Sequence, residues 1–236
     1  HANVYINGQK VGYWPYGYNS FHFDITKYLK PGEKNTLAVR LENLPESSRW
    51  YPGAGLYRNV HLIITEDAYI PVWGTYITTP SVNEKFAKVN VRTKVVLPEG
   101  ADPAKYSVET SVWNPNKQKL TAVRTSLAQM KYNNNQAEQE FVIQAPSLWS
   151  PEMPALYSAE TRLYEGDKLK DIYTTPFGIR SIEIIPDKGF FLNGKRTVFK
   201  GVCNHHDLGP LGAAVNDAAI RRQIRILKDM GCNAIR

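Results

Sequence analysis

Gly189-Phe190-Phe191-Leu192-Asn193-Gly194-Lys195-Arg196 opens the stretch whose reading decides the fold, and the residues from there to Arg236 continue its pattern. Its Asn-Gly pair signals a two-residue hairpin turn, because both central positions of such a turn need positive φ. Val198-Phe199-Lys200-Gly201-Val202 follows, short, apolar and bounded by the polar cluster Cys203-Asn204-His205-His206-Asp207, so it reads as a buried strand. A helix is predicted next. Asn216 or Asp217 is placed to cap its first turn, Ile220, Ile224 and Leu227 share one apolar face, and Gly231 stands where a helix stops. Asn233-Ala234-Ile235-Arg236 then begins a second strand. Strand, polar loop, helix and strand make one βα unit of a parallel sheet. One unit closes neither a barrel nor a doubly wound sheet, so the expectation is a piece of something larger.

The totals suit a folded protein with one to three domains: 236 residues, 42% hydrophobic and 11% aromatic. No run approaches the roughly 20 apolar residues needed to span a bilayer, so no membrane partner is expected. No signal peptide is visible, and His1 in place of Met implies that the natural N-terminus has been removed. Localisation is not legible here; a periplasmic or secreted setting is the working expectation. The net charge of +7 invites a nucleic-acid reading. Against it, Lys and Arg are scattered, no nucleic-acid motif occurs, and Arg221 to Lys228 is interrupted by helix-spaced Ile and Leu, the pattern of a solvated helix face. Cys203 and Cys232 are the two cysteines. They are too few for a disulfide framework, and they read as free, buried thiols.

Upstream the chain is β-rich. Asn7-Gly8 marks a hairpin near the start, 21–24 and 36–41 read as strands, and 25–29 as one helical turn capped by Asp24. A last strand is expected over 59–65, after the loop that contains Trp50 and Tyr51. Gly and Pro turns between strands of this length argue for a β-sandwich or jelly roll. From Pro71 onward about seven short strands are expected, at 73–78, 87–97, 105–114, 121–129, 139–144, 157–165 and 168–175, the signature of an immunoglobulin-like sandwich. Val89, Val91, Thr93 and Val95 alternate there with Asn90, Arg92 and Lys94, so one face of that strand is buried. With no cysteine in this segment, apolar packing is expected to hold its sheets together. Residues 131–136 read as a polar loop tip.

His205, His206 and Asp207 form the densest group of imidazole and carboxylate side chains, in the loop where α/β barrels carry their active sites. A metal centre lacks a third ligand at recognisable spacing. A nucleophile–His–Asp arrangement would have to use Cys203. A plain hydrogen-bonded turn is the bland alternative. Recognition of a sugar's hydroxyl groups fits best, since imidazole and carboxylate together supply directional donors and acceptors. Arg236 either holds a carboxylate in a bidentate pair or makes a barrel-end salt bridge. Trp14, Tyr16 and Tyr18, like Trp50 and Tyr51, read as packing aromatics rather than sugar platforms.

In this order the segments resemble glycoside hydrolase family 2. Phe23 to Gly32 and Gly53-Ala54-Gly55-Leu56-Tyr57-Arg58-Asn59-Val60 are similar to the second half of the family's jelly roll. Leu148-Trp149-Ser150-Pro151-Glu152-Met153-Pro154-Ala155-Leu156-Tyr157 is similar to a segment near the end of its immunoglobulin-like domain. Phe177-Gly178-Ile179-Arg180, Phe191-Leu192-Asn193-Gly194-Lys195 and Lys200-Gly201-Val202 resemble the start of its catalytic barrel. The resemblance implies a mainly β fold: part of a jelly-roll sandwich over 1–67, an immunoglobulin-like β-sandwich over 68–181, and the first βα unit of a truncated (β/α)8 barrel over 182–236. It implies a retaining exo-β-glycosidase, a β-galactosidase before a glucuronidase or mannosidase, acting on a carbohydrate substrate. Retention needs two carboxyl groups about 5 Å apart. The family's two glutamates lie on later barrel strands, so the piece alone is expected to be inactive, with no catalytic residue of its own. The resemblance assigns substrate binding to His205, Asp207 and Arg236. It puts the usual role of a Glu at position 206 in doubt, because His206 stands there. No cofactor is certain; a divalent or sodium ion in the whole enzyme and a homo-oligomer are left open. The competing class is a non-catalytic carbohydrate-binding or adhesion module.

Overall fold

Asn7 and Gly8, with φ of 51° and 80°, turn the chain between β1 (Ala2–Ile6) and β2 (Gln9–Trp14). These angles are the left-handed pair that an Asn-Gly turn supplies. β3 (Leu37–Leu41) pairs with the other edge of β1, giving an antiparallel sheet in the order β2-β1-β3. This computed structural model describes residues 1–46, 54–129, 136–205, 208–214 and 216–236. The chain divides into two units, His1–His61 with Cys203–Met230, and Leu62–Val202 with Gly231–Arg236.

In the first unit Ala2, Val4 and Ile6 are buried on one face of β1. Residues 21–24 form no strand. Their aromatic side chains are held by packing: Phe21 stacks on Trp14 at 5.6 Å, and Phe23 occupies the space above Gly12, where a Cβ would lie 2.3 Å from its ring. Asp24 accepts a 2.8 Å hydrogen bond from the Thr26 N–H, heading a single 3-10 turn, Thr26–Tyr28. Residues 59–65 also join no ladder among the described residues, and Val60, Leu62, Ile63 and Ile64 are exposed. An apolar run becomes a strand only where a partner supplies the hydrogen bonds.

The larger unit holds all seven strands read from the sequence. β4 (Thr75–Val82), β5 (Phe86–Lys94) and β8 (Gln136–Gln144) form one antiparallel sheet, ordered β4-β5-β8. β6 (Tyr106–Trp113), β7 (Lys119–Ser126), β9 (Tyr157–Glu165) and β10 (Lys168–Phe177) form the other, ordered β10-β9-β6-β7. Val89, Val91, Thr93 and Val95 are buried as their alternation requires. Residues 131–135 of the expected loop tip lie outside the described residues; Gln136 begins β8. The segment leading into and starting β4 is bonded to side chains of the edge strand β10: Ile70 N–H donates to Asp171 Oδ2 at 2.8 Å, Trp73 N–H to the Tyr173 hydroxyl at 3.1 Å, and the Thr75 and Thr175 hydroxyls bond each other.

β11 (Ile182–Ile185), β12 (Gly189–Leu192) and β13 (Lys195–Arg196) form a three-stranded antiparallel sheet around the Asn193-Gly194 turn. β14 (Gly201–Val202) and β15 (Ala234–Ile235) pair in parallel, with Gly201 opposite Ala234 and Val202 opposite Ile235. Between them in sequence runs α1 (Asp217–Asp229), capped by Asn216 Oδ1, which accepts from the Ala219 N–H at 3.1 Å. Gly231, at φ +87°, follows its end. The fold is mainly β, a sandwich followed by the start of a barrel.

Two expectations change here. The run 198–202 is not a buried strand: only its last two residues pair, and Val198 and Phe199 are 56% and 61% exposed. Parallel strands become buried when neighbours flank both edges and helices cover both faces; β14 has the single ladder neighbour β15. For the same reason Cys203, which is in no disulfide, is exposed and not buried, and Cys232 is only half-buried.

Candidate functional site

Three asparagines fix the local geometry, each by the same three hydrogen bonds. Asn193 N–H donates to Ser181 O at 3.0 Å, its Oδ1 accepts from Ser181 N–H at 3.0 Å, and its Nδ2 donates to Trp149 O at 3.0 Å. Asn233 does likewise with Lys200 O at 2.9 Å, Lys200 N–H at 2.8 Å and Val198 O at 3.0 Å. Asn7 repeats the set with Thr36 O at 2.9 Å, Thr36 N–H at 3.0 Å and Tyr28 O at 3.0 Å. A carboxamide presents one acceptor and two donors in fixed directions, so it extends a ladder sideways onto a third segment. Asn193 thereby ties the 189–196 hairpin to the Trp149 loop of the sandwich. Trp149 N–H donates to Ile179 O at 2.8 Å, the Arg180 guanidinium lies 5.0 Å from the Trp149 ring, and a Cβ on Gly178 would approach Trp149 Cβ to 3.1 Å. The junction at 177–180 is therefore packed and hydrogen-bonded, not a free linker.

Asn233 holds β15 to the start of the first barrel strand. Arg236 follows the C-terminal end of β15, with its N–H donating to Val202 O at 3.0 Å and its side chain exposed. His205 comes three residues after the end of β14 and is also exposed. The two residues fall in different units, and Asp207 and His206 lie outside the described residues. Val202 and Ile235 are paired, so the C-terminal ends of the two parallel strands are level. That is the end from which barrels display their chemistry. Asn204 Nδ2 donates to Gln223 Oε1 on α1 at 3.4 Å. Among the described residues no group of three or more His, Cys, Asp and Glu side chains could hold a metal ion, and no helix is long and apolar enough to cross a membrane.

Trp14 packs on Phe21, whereas Tyr16 and Tyr18 meet edge-on at 5.5 Å and are about half exposed. Trp50 and Tyr51 lie outside the described residues. A cleft of about 530 Å³ opens at one end of the sandwich, between the β6–β7 turn and the loop that leads to β9, lined by Asn116, Leu120, Gln144, Met153 and Tyr157 among others.

The strongest electrostatic feature is one the sequence did not disclose. Lys170 on β10 has a side chain only 6% exposed, and its Nζ lies 2.6 Å from Glu66, 2.9 Å from Asp67 and 3.7 Å from Glu165. Hydrogen bonding to Glu66 and then Asp67 pushes the Lys170 ammonium well above the ordinary lysine range. The same bonds hold the Glu66 and Asp67 carboxyls below theirs. Burial, reinforced by the Glu165 carboxylate, pushes the Tyr106 phenol up. These groups tie the segment before β4 to β10 by charge-assisted hydrogen bonds.

Comparison with known proteins covers both regions. Residues 69–180 match the family described as glycosyl hydrolases family 2, and residues 183–236 match its TIM barrel domain. The chain is 44% identical over 236 residues to beta-galactosidase BoGH2A of Bacteroides ovatus, spanning 100% of this chain and 28% of that protein. It is 39% identical to a putative beta-glucuronidase of Formosa agariphila, of which it spans 22%. A crystal structure of a glycosyl hydrolase family 2 member from Bacteroides cellulosilyticus superposes with a TM-score of 0.89 at 36% identity, over 99% of this chain and 30% of that one. The chain thus spans about a quarter of the length of these two curated relatives.

Proposed function

The chain belongs to glycosyl hydrolases family 2, and on that premise we propose that it serves a retaining exo-β-glycosidase, with β-galactoside as the substrate. The observation that carries this reading is the ordered succession of a seven-stranded sandwich, the Asn193-braced junction and a parallel strand pair, coinciding with the two matched regions. The same coincidence supports a division into 1–67, 68–181 and 182–236. The 44% relative named as a galactosidase supports β-galactoside, and the 39% relative named as a putative glucuronidase gives the second reading, a β-glucuronide.

In this account His205 and Asp207 line one wall of the sugar site, donating to and accepting from hydroxyl groups, and Arg236 supports the nucleophilic carboxylate through its guanidinium. Arg236 follows the C-terminal end of β15, which is level with that of β14, and this favours its role. An acid carboxyl protonates the glycosidic oxygen, a second carboxylate about 5 Å away forms the glycosyl-enzyme, and water then releases the sugar. Neither carboxylate is assigned to this chain. Full-length protein is expected to hydrolyse nitrophenyl β-galactoside with a higher kcat/KM than nitrophenyl β-glucuronide. The reverse order would replace galactoside by glucuronide, and no hydrolysis of either would remove the glycosidase reading.

A further inference from the structure

Apolar packing alone does not fill the sandwich. Its buried side chains form two separate apolar clusters, one around Val89, Val91, Phe141 and Ala159, the other around Val95, Val108, Ala137 and Leu163. Each of four central strands passes from one cluster to the other through a single polar residue: Thr93 on β5, Gln139 on β8, Thr110 on β6 and Thr161 on β9. The three threonines are 0% exposed and Gln139 is 5% exposed. These residues make a polar belt across the core, closed above and below by hydrocarbon.

Part of the belt is satisfied. The Thr110 and Thr161 hydroxyls bond each other at 3.2 Å across the β6–β9 ladder. Gln139 Nε2 crosses to the opposite sheet, reaching Val108 O at 3.2 Å, Val123 O at 2.9 Å and Thr125 Oγ1 at 3.1 Å. Two of those partners are backbone carbonyls, which only accept, so the amide cannot be turned over and Oε1 must face away from them. Oε1 and Thr93 Oγ1 are the unsatisfied atoms of the belt: neither has a hydrogen-bond partner among the described residues. Buried polar atoms are paired in nearly all folded proteins, with protein or with ordered water.

Register explains why they do not pair with each other. On the β5–β8 ladder Thr93 faces Ala137 and Gln139 faces Val91, so the two are diagonal neighbours on one face. Diagonal backbone positions are about 7–8 Å apart, and the Gln139 head is drawn toward the other sheet. With the Gln139 amide committed to Val108, Val123 and Thr125, its Oε1 and the Thr93 hydroxyl make no bond to each other. A water molecule has the reach, the two donors that a carbonyl oxygen and a hydroxyl can share, and an acceptor for the threonine proton.

We propose that the sandwich core binds an internal water between Thr93 Oγ1 and Gln139 Oε1, completing the polar belt that joins its two sheets. The site is independent of the glycosidase reading. A crystal structure of the chain at about 1.6 Å would show an ordered water about 3 Å from both atoms, and none in Thr93→Val, while Thr93→Ser keeps it. Water magnetic relaxation dispersion, which needs no crystals, would lose one long-lived water in Thr93→Val and none in Thr93→Ser. Density without a water there, a direct Thr93–Gln139 bond, or equal numbers of long-lived waters in wild type and Thr93→Val would overturn the assignment.

Discussion

Replacing Asn193 by Ala tests how the sandwich is joined to the start of the barrel. The change removes two side-chain hydrogen bonds of 3.0 Å, from Ser181 N–H and to Trp149 O. Each half-buried bond of this kind is worth about 1 kcal/mol. Asn193 also sits at φ +52°, where alanine costs about 1 kcal/mol and glycine costs nothing. Asn193→Ala should therefore destabilise the junction by roughly 3 kcal/mol, and Asn193→Gly by roughly 2 kcal/mol. Urea unfolding followed at Trp149 should show the ranking wild type, Gly, Ala. Amide exchange sharpens the test, because about 3 kcal/mol corresponds to roughly a hundredfold faster opening at Ser181 N–H. If both variants unfold within about 0.5 kcal/mol of wild type and Ser181 keeps its protection, Asn193 is a turn former and not a brace.

Other consequences can be measured alongside it. The carboxyls of Glu66 and Asp67 are held low by Lys170, so the stability they contribute is present above about pH 4, their unfolded range, and lost as pH falls through their folded values. Lys170 is held high, so its contribution persists below about pH 10 and disappears only above its folded value. Thermal melts of Lys170→Met should accordingly lose part of the acid-side slope seen in wild type; identical pH profiles would show the cluster to be inert. Gly201→Ala places a Cβ 2.8 Å from Ala234 O, and such overpacking costs about 1–3 kcal/mol, so exchange at Arg236 N–H should accelerate; unchanged exchange would mean that β14 and β15 separate freely. In full-length protein, His205→Ala and Asp207→Ala should lower kcat/KM far more than the melting temperature. Near-normal kinetics would return both residues to an ordinary turn.

Local patterns carried much of the fold. Asn7-Gly8 and Asn193-Gly194 announced their hairpins because their left-handed φ values are a property of the dipeptide, and Val89 to Val95 announced a half-buried strand because alternation is set by the pleat. Asn216 announced a helix start for the same local reason. What depended on a distant partner was hidden. Residues 59–65 have strand composition, but a ladder needs a neighbour that composition does not name. Asn193 and Asn233 read as a turn residue and a strand residue, and their second role appears only once Trp149 and Val198 come beside them. Lys170 resembles any outward lysine on a strand until Glu66 and Asp67, about a hundred residues earlier, fold over it. Thr93 looked like ordinary alternation, although with Gln139 it marks where the core changes from hydrocarbon to a polar layer.

On the proposed function, this chain frames a glycosidase without carrying its two catalytic carboxyl groups. Hydrolysis of nitrophenyl β-galactoside by the 236-residue chain and by full-length protein, measured in parallel, tests it most directly. Turnover is expected from the full-length protein, with the sugar released first as the β-anomer, and none from the 236-residue chain above a matched blank. Turnover by the 236-residue chain itself, or release of the α-anomer by the full-length protein, would contradict it.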